Sequence, residues 1–169
     1  MKTHGTGQFT CNDFQSIGYN VIIEDGVKIF HPETIAIKDN VYIGHDTILH
    51  GYPDSVLFID HDVWIGPQCY FHGAGGIYIQ DNVGIGPGVR ILTSYHDLNI
   101  DKSEPIRLHR LKFKAVVLES GCDIGISSTI LPGVTVGCLS QVGAGAVVTK
   151  DVGYRHIVAG NPAELVRKL

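Results

Sequence analysis

Charged residues are scarce in this sequence, and basic residues are not clustered anywhere along it. Asp, Glu, Lys and Arg make up 18% of the 169 residues, and the formal net charge is −4. A nucleic-acid-binding domain needs a basic patch or stripe to meet the phosphates, so we do not expect nucleic acid as a partner. The mean hydropathy of +0.13 indicates instead that apolar surface is shared with other copies of the chain.

Long apolar runs are also missing. No stretch approaches the roughly 20 residues needed to cross a bilayer as a helix. Met1 to Gly5 lead into polar residues rather than into the apolar core of a secretory signal. We therefore expect no membrane span and a cytoplasmic protein.

The four cysteines show no Cys-x-x-Cys spacing. Nothing in their spacing requires an oxidising compartment. We expect no bound metal.

The sequence does contain an aliphatic or aromatic residue at every sixth position. This period fits neither an amphipathic helix nor a simple strand, and it is typical of a parallel β-helix. Three hexapeptides make one triangular coil, and coils must stack to bury their apolar faces. We predict an all-β fold with a single domain over residues 1–169. The repeat positions are Ile17, Ile23, Ile29, Ile35, Ile37, Ile43, Leu49, Ile59, Ile65, Phe71, Ile79, Ile85, Ile91, Leu118, Ile124, Ile130, Val136, Val142 and Val148.

Small or β-branched residues follow four positions after the repeat residue. Cys69 and Cys122 both occupy this position. We predict that they are buried as small core residues rather than used for chemistry.

The repeat is interrupted at four places. Its frame shifts between Ile35 and Ile37, and extra residues appear after Leu49 and after Phe71. The largest interruption predicts an extruded loop over residues 93–115, and long loops on rigid scaffolds commonly carry function. Residues 1–16 lack the repeat and are predicted to cap the first coil. Residues 162–169 begin with Pro and end with cations, which predicts a short C-terminal helix.

Motifs in the second half resemble the hexapeptide acyltransferases, most closely the galactoside, maltose and capsular-sugar O-acetyltransferases. The resemblance covers residues 59–169. It implies a left-handed parallel β-helix, acetyl-CoA as co-substrate, and a homotrimer with active sites between subunits. The motifs that carry it are Thr93-Ser94-Tyr95-His96-Asp97, Ile130-Leu131-Pro132-Gly133, Val142-Gly143-Ala144-Gly145-Ala146 and Val158-Ala159-Gly160-Asn161-Pro162-Ala163.

The resemblance also implies a catalytic base. His96 matches the loop histidine that takes the proton from the acceptor as the acceptor attacks the thioester. An imidazole titrates near neutral pH and suits this role. His72 is read either as an acceptor or oxyanion contact or as a surface turn histidine, since the family has Asn in this region. Asp97 is read as a loop-capping or substrate-contacting residue.

The CoA site is likewise carried over by resemblance. Backbone amides of flat turns bind the pantetheine arm and cations meet the phosphates. The matching positions are Ile126, Ala144, Thr149, Lys150 and Arg167.

Several functions remain open at this point. The first is acetylation of a sugar hydroxyl, and a close variant is N-acetylation of an amino sugar or a nucleotide-linked amino sugar. A γ-carbonic-anhydrase-like zinc hydratase would use paired histidines such as His45 and His50, which are five residues apart. A non-catalytic scaffold is the last alternative.

Overall fold

Each hexapeptide forms a strand of two or three residues followed by a turn. The computed structural model describes residues 5–98 and 103–169, and over these residues the chain is a parallel β-solenoid of about seven turns. The strands in this described part are β1 (Ser16–Ile17), β2 (Ile22–Ile23), β3 (Lys28–Phe30), β4 (Ile35–Ile37), β5 (Tyr42–Ile43), β6 (Ile48–His50), β7 (Leu57–Ile59), β8 (Trp64–Ile65), β9 (Tyr70–His72), β10 (Ile77–Ile79), β11 (Gly84–Ile85), β12 (Arg90–Leu92), β13 (Ser94–His96), β14 (Leu111–Phe113), β15 (Val116–Leu118), β16 (Asp123–Ile124), β17 (Thr129–Ile130), β18 (Thr135–Val136), β19 (Gln141–Val142), β20 (Val147–Val148), β21 (His156–Ala159) and β22 (Glu164–Lys168). Short 3₁₀ turns span Cys11–Asp13, Pro32–Thr34 and Ile106–Leu108.

Successive strands form the three faces of a prism. The first face has the strand order β1-β4-β7-β10-β15-β18, the second β2-β5-β8-β11-β16-β19-β21-β22, and the third β3-β6-β9-β12-β17-β20. Pairing within the prism is parallel up to β21. We call the turns between the first and second faces the first corner, those between the second and third faces the second corner, and those leading from the third face to the next coil the third corner. The all-β solenoid predicted from the period is confirmed.

The repeat residues fill the interior of the prism. Ile43, Ile65, Phe71 and Ile91 are 0% exposed and belong to one continuous core cluster. Burying a side chain of this size contributes about 1.5–3 kcal/mol each. Because every inward position stacks on its equivalent in the next coil, the six-residue period alone defines this core.

Cys69 and Cys122 lie in the core as predicted, each 1% exposed. Burial raises the pKa of the Cys69 thiol to about 11. A thiol with so high a pKa is a poor nucleophile at neutral pH, so a structural role fits both residues.

The second corner explains why glycine so often follows the repeat residue. A Cβ on Gly44 would lie 2.5 Å from the backbone nitrogen of Pro67, and one on Gly125 would lie 2.6 Å from that of Ala144. Adjacent coils therefore approach too closely at this corner for any side chain.

Residues 5–15 cover the N-terminal end of the core. Phe14 is buried, and Phe9 packs edge-on against it with ring centroids 5.6 Å apart. The backbone N–H of Ile29 donates to the carbonyl of Gly7 over 2.9 Å. The cap predicted over residues 1–16 includes residues 1–4, which lie outside the described residues.

The predicted C-terminal helix over 162–169 is wrong. Residues Glu164–Lys168 form β22, which pairs antiparallel with β21, with Ala159 opposite Glu164 and Ile157 opposite Arg167. The last coil leaves the hydrogen-bonding groups of β21 open along one edge. Pairing with that edge outweighs the helix propensity of an Ala-Glu-Leu segment, since propensity is a weak preference.

All four interruptions of the repeat lie at the third corner. The frame shift predicted between Ile35 and Ile37 was misplaced, because both residues belong to β4 and the extra residues form the 3₁₀ turn Pro32–Thr34 before it. Each interruption leaves from the third face and rejoins the first face of the next coil: after β3, after β6, after β9 and after β12. Interruptions far apart in the sequence are therefore stacked along one edge of the prism, and this edge carries the candidate site.

Candidate functional site

The largest interruption forms a β-hairpin. Strands β13 and β14 pair antiparallel, with Ser94 opposite Phe113 and His96 opposite Leu111. Residues directly opposite each other on antiparallel strands present their side chains to the same side, and side chains alternate along each strand. His96 and Ser94 therefore share one side of the hairpin with Leu111 and Phe113. The predicted extruded loop over 93–115 includes residues 99–102, which lie outside the described residues.

The ring of His96 is held by a backbone group from the other arm of the hairpin. Its Nδ1 lies 3.1 Å from the carbonyl oxygen of His109. A carbonyl can only accept a hydrogen bond, so Nδ1 must carry the proton. In the neutral ring this leaves the lone pair on Nε2, which is the arrangement that a general base needs.

A cavity of about 530 Å³ lies at the third corner on the His96 side of the hairpin. Three interruptions contribute its walls, which combine apolar surfaces with a few polar groups. Its lining residues are Tyr52, Pro53, Asp54, Ser55, Val56, His72, Ala74, Gly75, Gly76, Tyr78, Leu111 and Phe113. In the single chain His96 is not among them, but its hairpin neighbours Leu111 and Phe113 are.

His72 lies on the wall of this cavity, bonded to a residue from the previous interruption. Its Nε2 lies 2.7 Å from the hydroxyl of Tyr52, and burial lowers its pKa below the ordinary value. The two rings also meet edge to face, with centroids 5.0 Å apart. A neutral His72 ring thus holds the hydroxyl of Tyr52 at the cavity surface.

The base of the hairpin is tied to the same corner by a buried threonine. Thr93 donates to the carbonyl of His72 and accepts from the N–H of Gly75 over 2.8 Å. Thr93 is 0% exposed. The position of the hairpin is therefore coupled directly to the backbone of the cavity wall.

Asp97 lies on the opposite side of the hairpin from His96. Its carboxylate is 2.8 Å from Nζ of Lys112, and this contact raises the pKa of the lysine. Its backbone N–H donates to the carbonyl of Arg110. These contacts fit the loop-capping reading of Asp97 better than the substrate-contacting one.

The predicted CoA residues lie at three places in the single chain. Ile126 and Ala144 occupy successive coils at the second corner, where the N–H of Gly145 donates to the carbonyl of Ile126 over 2.8 Å. Thr149 and Lys150 are exposed at the third corner, beyond β20. Arg167 is exposed on β22. Ile126 and Ala144 are therefore separated from Thr149 and Lys150 by the length of one strand.

Two contributors to this site were not identified from the sequence. Tyr52 belongs to the interruption after Leu49, and the sequence suggests for His109 and Arg110 only that they could fold back over a neighbouring site. The interruption after Leu49 was the one available signal for Tyr52. For His109, no feature of the sequence could reveal that its carbonyl bonds to His96.

The two histidines considered as ligands of a zinc hydratase, His45 and His50, do not lie together. His45 lies in the turn before β6 and His50 at the end of that strand, so the strand separates them. Among the described residues, no three His, Cys, Asp or Glu side chains are grouped so that they could hold a metal ion. The described part of the chain also has no helix long and apolar enough to cross a membrane.

Relatives and solved structures agree on one class of protein. A Saccharomyces cerevisiae protein named "Putative acetyltransferase" is 30% identical over 151 residues, which cover 89% of this chain and 64% of the relative. The chain spans about half to two thirds of the length of the curated relatives it matches. No protein-family model matches.

Two solved structures illustrate the similarity in fold. A variant of AntD, an N-acyltransferase from Bacillus cereus in complex with dTDP-4-amino-4,6-dideoxyglucose and coenzyme A, has a TM-score of 0.82 and 25% identity, covering 93% of this chain and 85% of its own. A hexapeptide-repeat-containing acetyltransferase from Vibrio cholerae, complexed with acetyl coenzyme A, has a TM-score of 0.66 and 26% identity, covering 94% and 73%. In sequence and fold the chain is similar to the hexapeptide-repeat acetyltransferases, the family that its motifs indicated.

Proposed function

We propose that the chain catalyses transfer of an acetyl group from acetyl-CoA to a hydroxyl or amine of a small sugar-like acceptor. The observation that carries this proposal is the geometry of His96. The carbonyl of His109 accepts a hydrogen bond from the Nδ1–H of His96, so the lone pair of the neutral ring is on Nε2. The same side of the hairpin forms part of a cavity large enough for a small ligand.

In this mechanism Nε2 of His96 accepts the proton of the acceptor as its oxygen or nitrogen attacks the thioester carbonyl carbon. The carbon–sulfur bond then breaks, and the proton held by His96 passes to the departing thiolate. A positioned base of this kind contributes about 10²- to 10⁴-fold in rate. The buried Thr93 and the Nδ1 hydrogen bond keep the ring in place during both proton transfers.

The cavity is suited to an acceptor that has apolar and polar faces. Val56, Leu111 and Phe113 offer apolar contact, and Tyr52 and His72 offer hydrogen bonds. Sugar rings combine apolar faces with ring hydroxyls, and aromatic side chains pack against such faces. We therefore assign His72 and Tyr52 to acceptor binding.

For the co-substrate, the exposed turns at Ile126 and Ala144 offer backbone amides for a pantetheine arm, with glycines allowing close approach. Lys150, Thr149 and Arg167 offer polar or cationic contacts for phosphates. One face of the prism separates the turns at Ile126 and Ala144 from Thr149 and Lys150. A CoA molecule that contacts all of these residues therefore needs a groove between two copies of the chain. This requirement supports the homotrimer with active sites between subunits.

A hydroxyl acceptor is our first choice, and an amine is the second candidate. The similarity to AntD, which was solved with a nucleotide-linked amino sugar, favours N-acetylation of such an acceptor. The same base and cavity serve either reaction, since both begin with loss of a proton from the attacking atom.

The test is release of free thiol from acetyl-CoA in the presence of sugars, amino sugars and nucleotide-linked amino sugars. We expect turnover with one acceptor class and a loss of about 10²- to 10⁴-fold in His96→Ala. His61→Ala, which removes a half-exposed histidine at the first corner, is the matched control and should retain turnover. Full turnover in His96→Ala would exclude His96 as the base, and no turnover with any acceptor would contradict the proposed reaction.

A further inference from the structure

His109 differs from every other histidine in the described part of the chain because it is buried. Its exposed fraction is 8%, in a hairpin whose strand β14 is exposed throughout. Burying an imidazole is unfavourable unless its nitrogens are hydrogen-bonded. The contacts of its ring are therefore informative.

Both ring nitrogens of His109 face backbone carbonyl groups. Nδ1 lies 3.0 Å from the carbonyl oxygen of Asp97, and Nε2 lies 3.2 Å from that of Glu104. Both oxygens can only accept, so the ring donates from each nitrogen when it is protonated and from one when it is neutral. When it is protonated, the ring joins the end of β13 to the segment that leads into the 3₁₀ turn Ile106–Leu108, and when it is neutral it donates to one of these two carbonyls.

The main chain of His109 completes a reciprocal arrangement. Its carbonyl accepts from Nδ1 of His96 over 3.1 Å, while its ring holds the carbonyl of the residue that follows His96. The N–H of His109 donates to the carbonyl of Ile106 over 3.0 Å. Each histidine thus holds the backbone of the opposite arm, and the two hydrogen bonds cross the hairpin side by side.

We propose that His109 is a positioning residue that fixes the tautomer and orientation of His96. The backbone ladder joins the two arms as far as the hydrogen bond from the Asp97 N–H to the Arg110 carbonyl, and the ring of His109 extends this connection by one residue, which keeps the carbonyl of His109 within reach of Nδ1 of His96. Without the ring, the carbonyls of Asp97 and Glu104 lose a buried donor, and the arms can separate. His96 then exchanges the proton between its two nitrogens, and the fraction with a lone pair on Nε2 falls.

This inference rests on the proposed function of His96, so its test includes a measurement that needs no turnover. Imidazole nitrogen NMR spectra of the full-length protein report the tautomer of each histidine, and the His96 signals are identified by their loss in His96→Gln. We expect a single Nδ1–H tautomer for His96 in the wild type and a mixture of both tautomers in His109→Phe. His61→Phe is the matched control and should leave the His96 signals unchanged.

Kinetics provide the second measurement. We expect His109→Phe to lower kcat by about 10- to 100-fold, since small displacements of a catalytic group have effects of this size, while KM for acetyl-CoA stays the same. His109→Gln, which keeps one amide donor for a carbonyl, should give an intermediate tautomer mixture and an intermediate kcat. It also provides the test if His109→Phe does not fold.

An unchanged single tautomer of His96 in folded His109→Phe or His109→Gln would overturn the proposal. So would a kcat loss that is matched by an equal rise in KM for acetyl-CoA. If the wild type shows no acetyl transfer at all, the proposed function fails, and the tautomer measurement still decides whether His109 positions His96.

Discussion

The prism and the hairpin over β13 and β14 are held together by different forces. In the prism, inward residues such as Ile65 and Ile91 are 0% exposed, and stability comes from stacked apolar side chains. In the hairpin, Leu111 is 48% exposed and Phe113 is 54% exposed, and order comes from hydrogen bonds and the Asp97–Lys112 ion pair. Stability and the candidate site are therefore separated in this chain, with one part held by apolar packing and the other positioned by a few polar contacts.

Two phenylalanines give the sharpest test of this separation. Phe71 is 0% exposed in the core, so Phe71→Ala should lower the free energy of unfolding by about 3–5 kcal/mol. Phe113→Ala, on the hairpin, should change it by about 0.5 kcal/mol or less while weakening acceptor turnover. Urea denaturation measures the first effect and thiol release the second. Equal destabilisation by both variants would contradict the comparison.

Gly75 lies where the two regions join and tests their coupling. A Cβ at this position would lie 2.5 Å from the carbonyl oxygen of Thr93 and 2.8 Å from the nitrogen of Lys114. Gly75→Ala must therefore displace the base of the hairpin, and overpacking of this kind costs about 1–3 kcal/mol. We expect both a lower urea midpoint and lower turnover.

The control for that substitution is Gly84→Ala on the second face. There the nearest atom to a Cβ is a side-chain oxygen of Asp123 at 3.1 Å, which can move aside. Turnover should be retained in this variant. A Gly75→Ala protein with normal turnover would show that the hairpin is not coupled to its base.

The smallest expected effect is the pH dependence contributed by His72. Burial lowers its pKa, so the unfolded chain takes up the proton at a higher pH than the folded chain does. Stability from this residue is present above the ordinary histidine pKa of about 6.5 and decreases as the pH falls through that value toward the folded pKa. The urea midpoint should therefore fall less between pH 7 and pH 5 in His72→Gln than in the wild type.

An identical pH dependence in His72→Gln and the wild type would mean that the site does not disfavour the protonated ring. That result would also weaken the assignment of a neutral His72 to acceptor binding.

The sequence predicted the prism well because burial inside it follows a fixed period. Ile43, Cys69 and Val136 were placed in the interior from spacing alone, and each is buried. The period also located three of the four interruptions, but it placed the first one between Ile35 and Ile37, whereas the extra residues precede β4 at Pro32–Thr34. It could not show which side chains of neighbouring interruptions touch, because that depends on the path of each loop.

The C-terminal segment shows where local patterns fail. Pro162 followed by Ala-Glu-Leu favours a helix by local rules, yet residues Glu164–Lys168 pair with β21. The deciding factor was an open strand edge formed by residues that precede this segment. Helix propensity describes an isolated segment, whereas the conformation of this segment is decided by its pairing with β21.

The sequence by itself determined the solenoid, the loop that carries His96, and the resemblance to the hexapeptide-repeat acetyltransferases, because each depends on residues at regular or short spacing. Only the tertiary structure decided that Tyr52 meets His72 and that the carbonyl of His109 bonds to the ring of His96. These are contacts between residues 13 to 20 positions apart in the sequence. They arise because the coils stack and the hairpin folds back on itself, and neither distance nor direction at such separations can be read from spacing.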